Sequence, residues 1–448
     1  MKRTRTLLAL MLTLVLCLGA FVPAAAADEN YVPNAAITKI LQTPVGTTLP
    51  SVMDFVFEIR PVKWDNAVYN GSNMPSFADV TLTYSADLKT LSANAASAGA
   101  TNPYTAGGTT CCVLESGNIF DGLTGTWQGA GKYEYAITEK ANTFAVNAYT
   151  PAADFTEGMT WSGASYTLCI YVLEGTDGAL YIDGIGVVKT KDDAGTKITE
   201  EKISVVTPGG DDSEYFWSQI EFRNSYWKTP NGNPEDPDTD WASLAISKKI
   251  TGAAIVTADY NRYFNFTLKV TPPSIIPTTE CPAYYCAFVV DANGDIVADL
   301  TTDAYAAAAD IGNNGTQDYI KFVPGTATAF QLKHGEKLIF VDTPVGTAYQ
   351  VTEGATPYFL PSYIVTTAGS AAAQVIGNTS QSLATGTEYT GEGQGMLNNL
   401  AAFTNTCDST PETGLDAVPL YGLSLLALVG LAVYIIMKAR KKNRYSRD

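Results

Sequence analysis

Segments in which apolar and polar residues alternate recur along this chain, and that period of two constrains its fold more than any other feature. Examples are Phe55-Val56-Phe57-Glu58-Ile59, Thr167-Leu168-Cys169-Ile170-Tyr171-Val172 and Phe264-Asn265-Phe266-Thr267-Leu268. Successive side chains of a strand point to opposite faces, so each segment can bury one face and wet the other. Turn-forming clusters separate the segments, such as Pro208-Gly209-Gly210, Asp291-Ala292-Asn293-Gly294 and Asn313-Asn314-Gly315. Tyr and Thr are plentiful, and helical periodicity is scarce between the two termini. The pattern predicts an all-β chain of antiparallel sandwiches rather than an α/β fold.

The 448 residues suffice for two domains with real cores. Residues 229–240 (TPNGNPEDPDTD) carry three prolines and several acids and read as a stiff, solvated linker. It divides an expected domain over 29–228 from one over 241–407. The halves repeat a sparse pattern in the same order. Each opens with a strand bearing a lysine, Ile37-Thr38-Lys39-Ile40-Leu41 and Ile246-Ser247-Lys248-Lys249-Ile250. A Phe-x-Phe strand follows, Phe55 to Phe57 and Phe264 to Phe266. Next comes Tyr135-Ala136-Ile137-Thr138-Glu139 in one half and Tyr349-Gln350-Val351-Thr352-Glu353 in the other. Each half closes on Phe-x-Asn, at Phe222-Arg223-Asn224 and Phe403-Thr404-Asn405.

The ends of the chain indicate its compartment. Residues 1–27 combine a basic start, an apolar run from Leu7 to Val22 and small residues from Ala24 to Ala27, the makings of a secretory signal peptide. Residues 408–448 hold Thr410-Pro411-Glu412-Thr413-Gly414, an apolar run from Ala417 to Met437 long enough to span a bilayer, and a basic tail that marks the cytoplasmic side. This order resembles a Gram-positive cell-wall sorting signal of the Leu-Pro-x-Thr-Gly type, with Thr410 in place of the leucine. The resemblance implies cleavage by a sortase between Thr413 and Gly414, and attachment of Thr413 to an amine. Nine basic and two acidic residues leave with the two ends, which takes the net charge from −17 to −24. Such a surface repels phosphate backbones and argues against nucleic-acid binding.

The chemistry centres on two lysines. Leu244, Ile246, Lys248 and Ile250 share one strand face, as do Ile37, Lys39 and Leu41, so the apolar members carry both lysines inward. An unpaired buried ammonium is costly. A glutamate and an asparagine in the same core would change the balance. Desolvation lowers a lysine pKa and raises that of a glutamate. A neutral amine could then attack an asparagine carboxamide polarised by the protonated glutamate, with loss of ammonia.

These residues resemble those of the isopeptide-bonded domains of Gram-positive, streptococcal-type backbone pilins. The second half matches more closely, with Ser247-Lys248-Lys249-Ile250-Thr251-Gly252, a run from Thr343-Pro344-Val345-Gly346 to Glu353, and Phe403-Thr404-Asn405-Thr406. The first half lacks the Thr-Gly after its lysine, and Gly122-Leu123-Thr124-Gly125 only loosely replaces the Pro-Val-Gly turn. The resemblance implies two tandem Ig-like antiparallel β-sandwiches. It also implies a Lys39–Asn224 cross-link assisted by Glu139 and a Lys248–Asn405 cross-link assisted by Glu353. Each would tie the first strand of a domain to the last and restrict the unfolded chain by about 4–5 kcal/mol in the loop-entropy model. This is a single-turnover reaction, so no enzyme of an external substrate is expected.

The expected partners are a sortase, neighbouring pilin subunits or peptidoglycan, and a host surface ligand if the chain is instead a monomeric wall-anchored adhesin or stalk. Lys189, Lys191 and Lys228 look exposed enough to accept the Thr413 of a neighbouring subunit. A secreted glycosidase using two carboxylates is a third reading. No cofactor or metal is expected: His334 is the sole histidine, in a polar turn, the six cysteines after Cys17 fit no zinc spacing, and Gly210-Asp211-Asp212 and Asp236-Pro237-Asp238 read as solvated charge. Cys281 and Cys286 could close a short loop. Trp127, Trp161 and Trp227 read as packing residues.

Overall fold

The computed structural model describes residues 31–85, 104–144, 146, 154–203, 217–302 and 305–408. The signal peptide, the Thr413–Gly414 cleavage point, the apolar run and the basic tail lie outside the described residues. Among the described residues no helix is long and apolar enough to cross a membrane.

The fold is all-β. The strands used below are β1 (Thr38–Pro44), β2 (Val52–Trp64), β3 (Thr109–Glu115), β4 (Gly131–Lys140), β5 (Phe155–Thr160), β6 (Ser165–Glu174), β7 (Leu180–Lys191), β8 (Lys197–Ile203) and β9 (Glu221–Pro230) in the first half. The second half supplies β10 (Leu244–Thr251), β11 (Phe264–Thr271), β12 (Tyr285–Val290), β13 (Asp318–Phe322), β14 (Ala327–Leu332), β15 (Lys337–Phe340), β16 (Ala348–Glu353), β17 (Leu360–Thr367) and β18 (Leu400–Thr406). In the first half, a sheet ordered β5-β9-β1-β3 faces one ordered β8-β7-β6-β4-β2. In the second, β13-β12-β15-β10-β18-β17 faces β14-β11-β16. Short strands extend several of these edges.

The inward faces of each pair of sheets meet in a separate core. Phe55, Phe57, Tyr133, Tyr135, Leu168 and Phe222 belong to the first, and Leu244, Ile246, Phe266, Tyr349, Val351 and Phe403 to the second. Burying these aromatic and aliphatic side chains is the main driving force for closing each sandwich. Trp127 and Trp161 pack on Tyr133 and Phe55, and Trp227 is buried.

Among the described residues, each sandwich departs from antiparallel pairing at one place. β1 pairs in parallel with β9, and β10 pairs in parallel with β18. A chain that enters a sandwich at one end and leaves at the other must run its first and last strands in the same direction, and here the two are neighbours.

The stretch between the sandwiches is packed along part of its length. Thr229 and Pro230 close β9. Gly232 lies so near Val341 that a side chain there would overlap the Val341 carbonyl. Asn314 Nδ2 donates to the Pro234 carbonyl at 3.0 Å, and Pro237 is buried.

Beside this stretch two copies of one turn meet. Thr43-Pro44-Val45-Gly46-Thr47 leaves β1, and Thr343-Pro344-Val345-Gly346-Thr347 leads into β16. In each, the second Thr N–H donates back to the Pro carbonyl, at 3.2 and 3.1 Å, and the Gly has φ of 79° and 78°. A side chain at Gly346 would run into Pro44. Val345 N–H donates to the Lys228 carbonyl at 3.0 Å. Lys228 Nζ meets Glu392 Oε1 at 3.0 Å and Thr48 Oγ1 at 3.0 Å. Lys228 is therefore not an exposed amine: only 5% of it is accessible, because the second sandwich covers it. Lys191 is exposed and Lys189 partly so.

Candidate functional site

In each core the structure brings together the lysine, glutamate and asparagine singled out above. In the first, Lys39 Nζ lies 2.8 and 2.7 Å from the two Glu139 carboxylate oxygens, and Asn224 Nδ2 donates to Glu139 Oε1 at 2.7 Å. In the second, Lys248 Nζ lies 2.5 Å from Glu353 Oε1, and Asn405 Nδ2 donates to the same oxygen at 2.7 Å. The lysine and glutamate side chains are at most 1% exposed. Asn224 and Asn405 are equally buried.

Strand register explains the convergence. In parallel pairing, Leu41 stands opposite Asn224 and Ile250 opposite Asn405. Each lysine is two residues before the asparagine's partner, so lysine and asparagine share the inward face of neighbouring strands. The glutamate comes from the facing sheet. It ends an inward row of Tyr135, Ile137 and Glu139 on β4, or Tyr349, Val351 and Glu353 on β16. Glu139 is paired with Phe57 and Glu353 with Phe266, the second phenylalanine of each Phe-x-Phe strand. That ring packs on the phenylalanine of Phe-x-Asn, at 4.9 Å between Phe57 and Phe222 and 5.4 Å between Phe266 and Phe403. The first ring of the motif lies under the ammonium, with Lys39 Nζ 4.8 Å from the Phe55 centroid and Lys248 Nζ 4.3 Å from that of Phe264. The three phenylalanines of the repeated pattern in each half thus touch the trio or support a residue that does.

Burial pulls both lysines down to about 8 against the attraction of their carboxylates. It pushes Glu139 and Glu353 up, again against the lysine beside each and the asparagine N–H. These opposing shifts bring the ion pair and its neutral tautomer closer in free energy. One carboxylate oxygen touches both the amine nitrogen and the amide nitrogen, so it can take a proton from the first and hand it to the second.

The two trios differ around the asparagine oxygen. Asn224 Oδ1 accepts the Ser162 N–H at 2.7 Å. Asn405 Oδ1 and Glu353 Oε2 are buried without a hydrogen-bond partner among the described residues. A proton on Glu353 would supply a donor that such an amide oxygen lacks.

Elsewhere, His334 Nδ1 accepts the Ile250 N–H at 3.0 Å, a structural role at the edge of β10. All six cysteines among the described residues are free thiols, Cys281 and Cys286 included. No group of three or more metal-ligating side chains is found among the described residues. The Thr43–Thr47 copy of the Pro-Val-Gly turn, the burial of Lys228 and the Ser162 contact were missed in the sequence. Only the first left a signal, an exact pentapeptide repeat.

Residues 242–405 match a domain family of unknown function, DUF7601, a span that holds the whole second trio. No curated protein matches the chain. Among solved structures, the chain is similar to the major pilin of Streptococcus pyogenes at 18% identity, covering 84% of this chain and 100% of that one, with a TM-score of 0.28. The T-13 major pilin from Streptococcus pyogenes is similar at 14% identity over 84% and 98%, with a TM-score of 0.26. The pilus-presented adhesin Cpa is similar at 13% identity over 67% and 93%, with a TM-score of 0.23.

Proposed function

We propose that this chain is a structural cell-surface protein, a pilus-type subunit anchored through Thr413, in which residues 29–228 and 241–407 form two units, each closed by its own isopeptide bond. The reading rests on one observation above all. In both halves a buried lysine and a buried asparagine, on parallel neighbouring first and last strands, share a single carboxylate oxygen. An ordinary buried ion pair needs no asparagine in that position and gives no reason for the same register offset to occur twice.

The reaction is a transamidation. Glu139 or Glu353 takes the ammonium proton, the neutral amine attacks the asparagine Cγ, and the carboxyl gives that proton to the departing nitrogen, which leaves as ammonia. The carboxylate then takes up the second proton that Nζ sheds on becoming an amide. A secondary amide replaces a primary amide and an amine, and the site is used up in the process. Desolvation supplies the nucleophile and the acid at neutral pH.

Intact mass of the mature chain, reduced, tests this beside Lys39→Ala and Lys248→Ala. The expected result is a deficit of two ammonia masses, with one restored in each variant. A chain of full mass would refute the bonds. On the producing cells, a sortase-dependent ladder of high-mass species is expected for a pilus subunit. A single anchored species would assign the chain to the adhesin or stalk class instead.

A further inference from the structure

The first trio has a neighbour that the second lacks. β5 stops at Thr160, where it pairs with Ser225, so among the described residues β9 has no strand partner on that side from Asn224 back to Glu221. The gap is filled by side chains. Glu221 N–H donates to Tyr166 Oη at 3.1 Å, and Arg223 N–H donates to Asp193 Oδ1 at 2.8 Å. The same Asp193 oxygen accepts the Ser162 hydroxyl at 2.5 Å, and the Asp193 carbonyl accepts the Gly163 N–H at 2.7 Å. Gly163 is pressed against Gly195, with no room for a side chain. The loop after β5 is thereby pinned to the turn after β7, and Asp193 is bonded both to that loop and to the residue before Asn224. The pinned loop aims the Ser162 N–H at Asn224 Oδ1. In the second sandwich β17 stays paired along the whole of β18, with Pro361 opposite Asn405, and Asn405 Oδ1 has no hydrogen-bond partner among the described residues.

Taking the isopeptide reading above as its basis, we propose that the Ser162 backbone N–H is the oxyanion donor for bond formation at Asn224, with Asp193 as the positioning residue that holds it. When Lys39 Nζ bonds to Asn224 Cγ, the carbonyl electron pair moves onto Oδ1. A fixed N–H already within hydrogen-bond distance stabilises that charge without reorganising. The pair then re-forms the carbonyl, the Cγ–Nδ2 bond breaks, and Glu139 delivers to Nδ2 the first proton that Nζ gave up, so that ammonia leaves, and takes up the second proton that Nζ sheds on becoming an amide. The first sandwich thus divides the work between Glu139, which moves the proton, and Ser162, which holds the charge. In the second, Glu353 does both.

The test follows both cross-linked peptides over time in the full chain, sampled after a pulse of cell-free synthesis. Asp193→Ala cuts the clamp, whereas Asp193→Asn removes the same charge but keeps an oxygen for the Ser162 hydroxyl and the Arg223 N–H. Loss of one oxyanion donor typically slows an acyl reaction by about 100- to 1,000-fold, so loosening it should slow the Lys39–Asn224 bond by about 10- to 100-fold. Asp193→Asn should stay within about threefold of the parent rate, since the geometry is kept. Ser162→Ala, which severs the clamp from the other side, should slow the same bond. The Lys248–Asn405 bond in the same molecules should form at the parent rate throughout. Parent-like rates in both Asp193 variants, or equal slowing in both, would overturn the positioning role. If the parent chain yields neither cross-linked peptide, the isopeptide reading itself fails, a separate result.

Discussion

At Lys39 and Lys248 burial works against the ammonium, and the neighbouring carboxylate works for it. The reactive arrangement, neutral amine beside neutral carboxyl, holds as many protons as the ion pair, so the two interconvert without exchange with solvent. Bond formation is therefore expected to be flat across mid-range pH. It should fall above about 8, where the lysine loses its proton while the carboxylate stays ionised and no acid is left for the departing nitrogen. It should fall on the acid side too, as the carboxylate takes up a proton next to a charged amine. Cross-linked peptide yields at early times over stepped pH check both limbs, and a rate still rising well above the lysine value would show that the amine alone limits. In a chain that cannot cross-link, the buried lysine makes stability rise with pH. Its folded pKa lies below the unfolded one, so this penalty is present in full below about 8 and is relieved as pH rises toward the unfolded value of 10.5.

Among the elements, β10 and β18 carry the better-matched trio and end in a close backbone approach. Gly252, just after β10, has φ of 125°, and a Cβ there would sit 2.2 Å from the Cys407 carbonyl oxygen. Gly252→Ala should cost about 2 kcal/mol through strain in that turn, measured by guanidinium unfolding. Asn405→Ala leaves the Lys248–Glu353 pair in place but takes away the proposed cross-link, and should lower stability by about 4–5 kcal/mol, with intact mass reporting the missing bond. Strand alternation made the inward direction of Lys39 and Lys248 legible, since Leu244, Ile246 and Ile250, or Ile37 and Leu41, can be buried only if the lysine goes with them. The repeated order of motifs made Glu139, Glu353, Asn224 and Asn405 legible as their companions. Parallel pairing was not legible, because alternation says which way a side chain points and nothing about a neighbour's direction. Ser162 and Asp193 were hidden for a similar reason: one lies in a loop and the other in a turn, where no period constrains the side chain. Lys228 looked exposed because what buries it, around Glu392, lies more than 160 residues later.

For the whole molecule, the junction around Lys228, Glu392 and Thr48 opposes free rotation of one sandwich against the other. Glu392→Ala would leave a nearly buried ammonium without its carboxylate, a change that typically costs about 3–5 kcal/mol for a fully buried pair and less here, since Glu392 is partly exposed. The loss should fall on the contact between the sandwiches rather than on either core. Small-angle scattering and NMR relaxation should report greater independent tumbling, with both cross-links still formed. Unchanged tumbling would show that the paired Pro-Val-Gly turns suffice. The parallel placement of first and last strands also governs how much slack the chain holds. With both bonds made, a pull on the two ends passes from Lys39 straight to Asn224 and from Lys248 straight to Asn405, and everything folded between each pair is bypassed. Between the bonds, only the stretch from Asn224 to Lys248 can lengthen, by at most about 3.3–3.6 Å per residue from end to end. A single-molecule stretching trace should therefore show no release of either sandwich's hidden length before the covalent backbone itself fails.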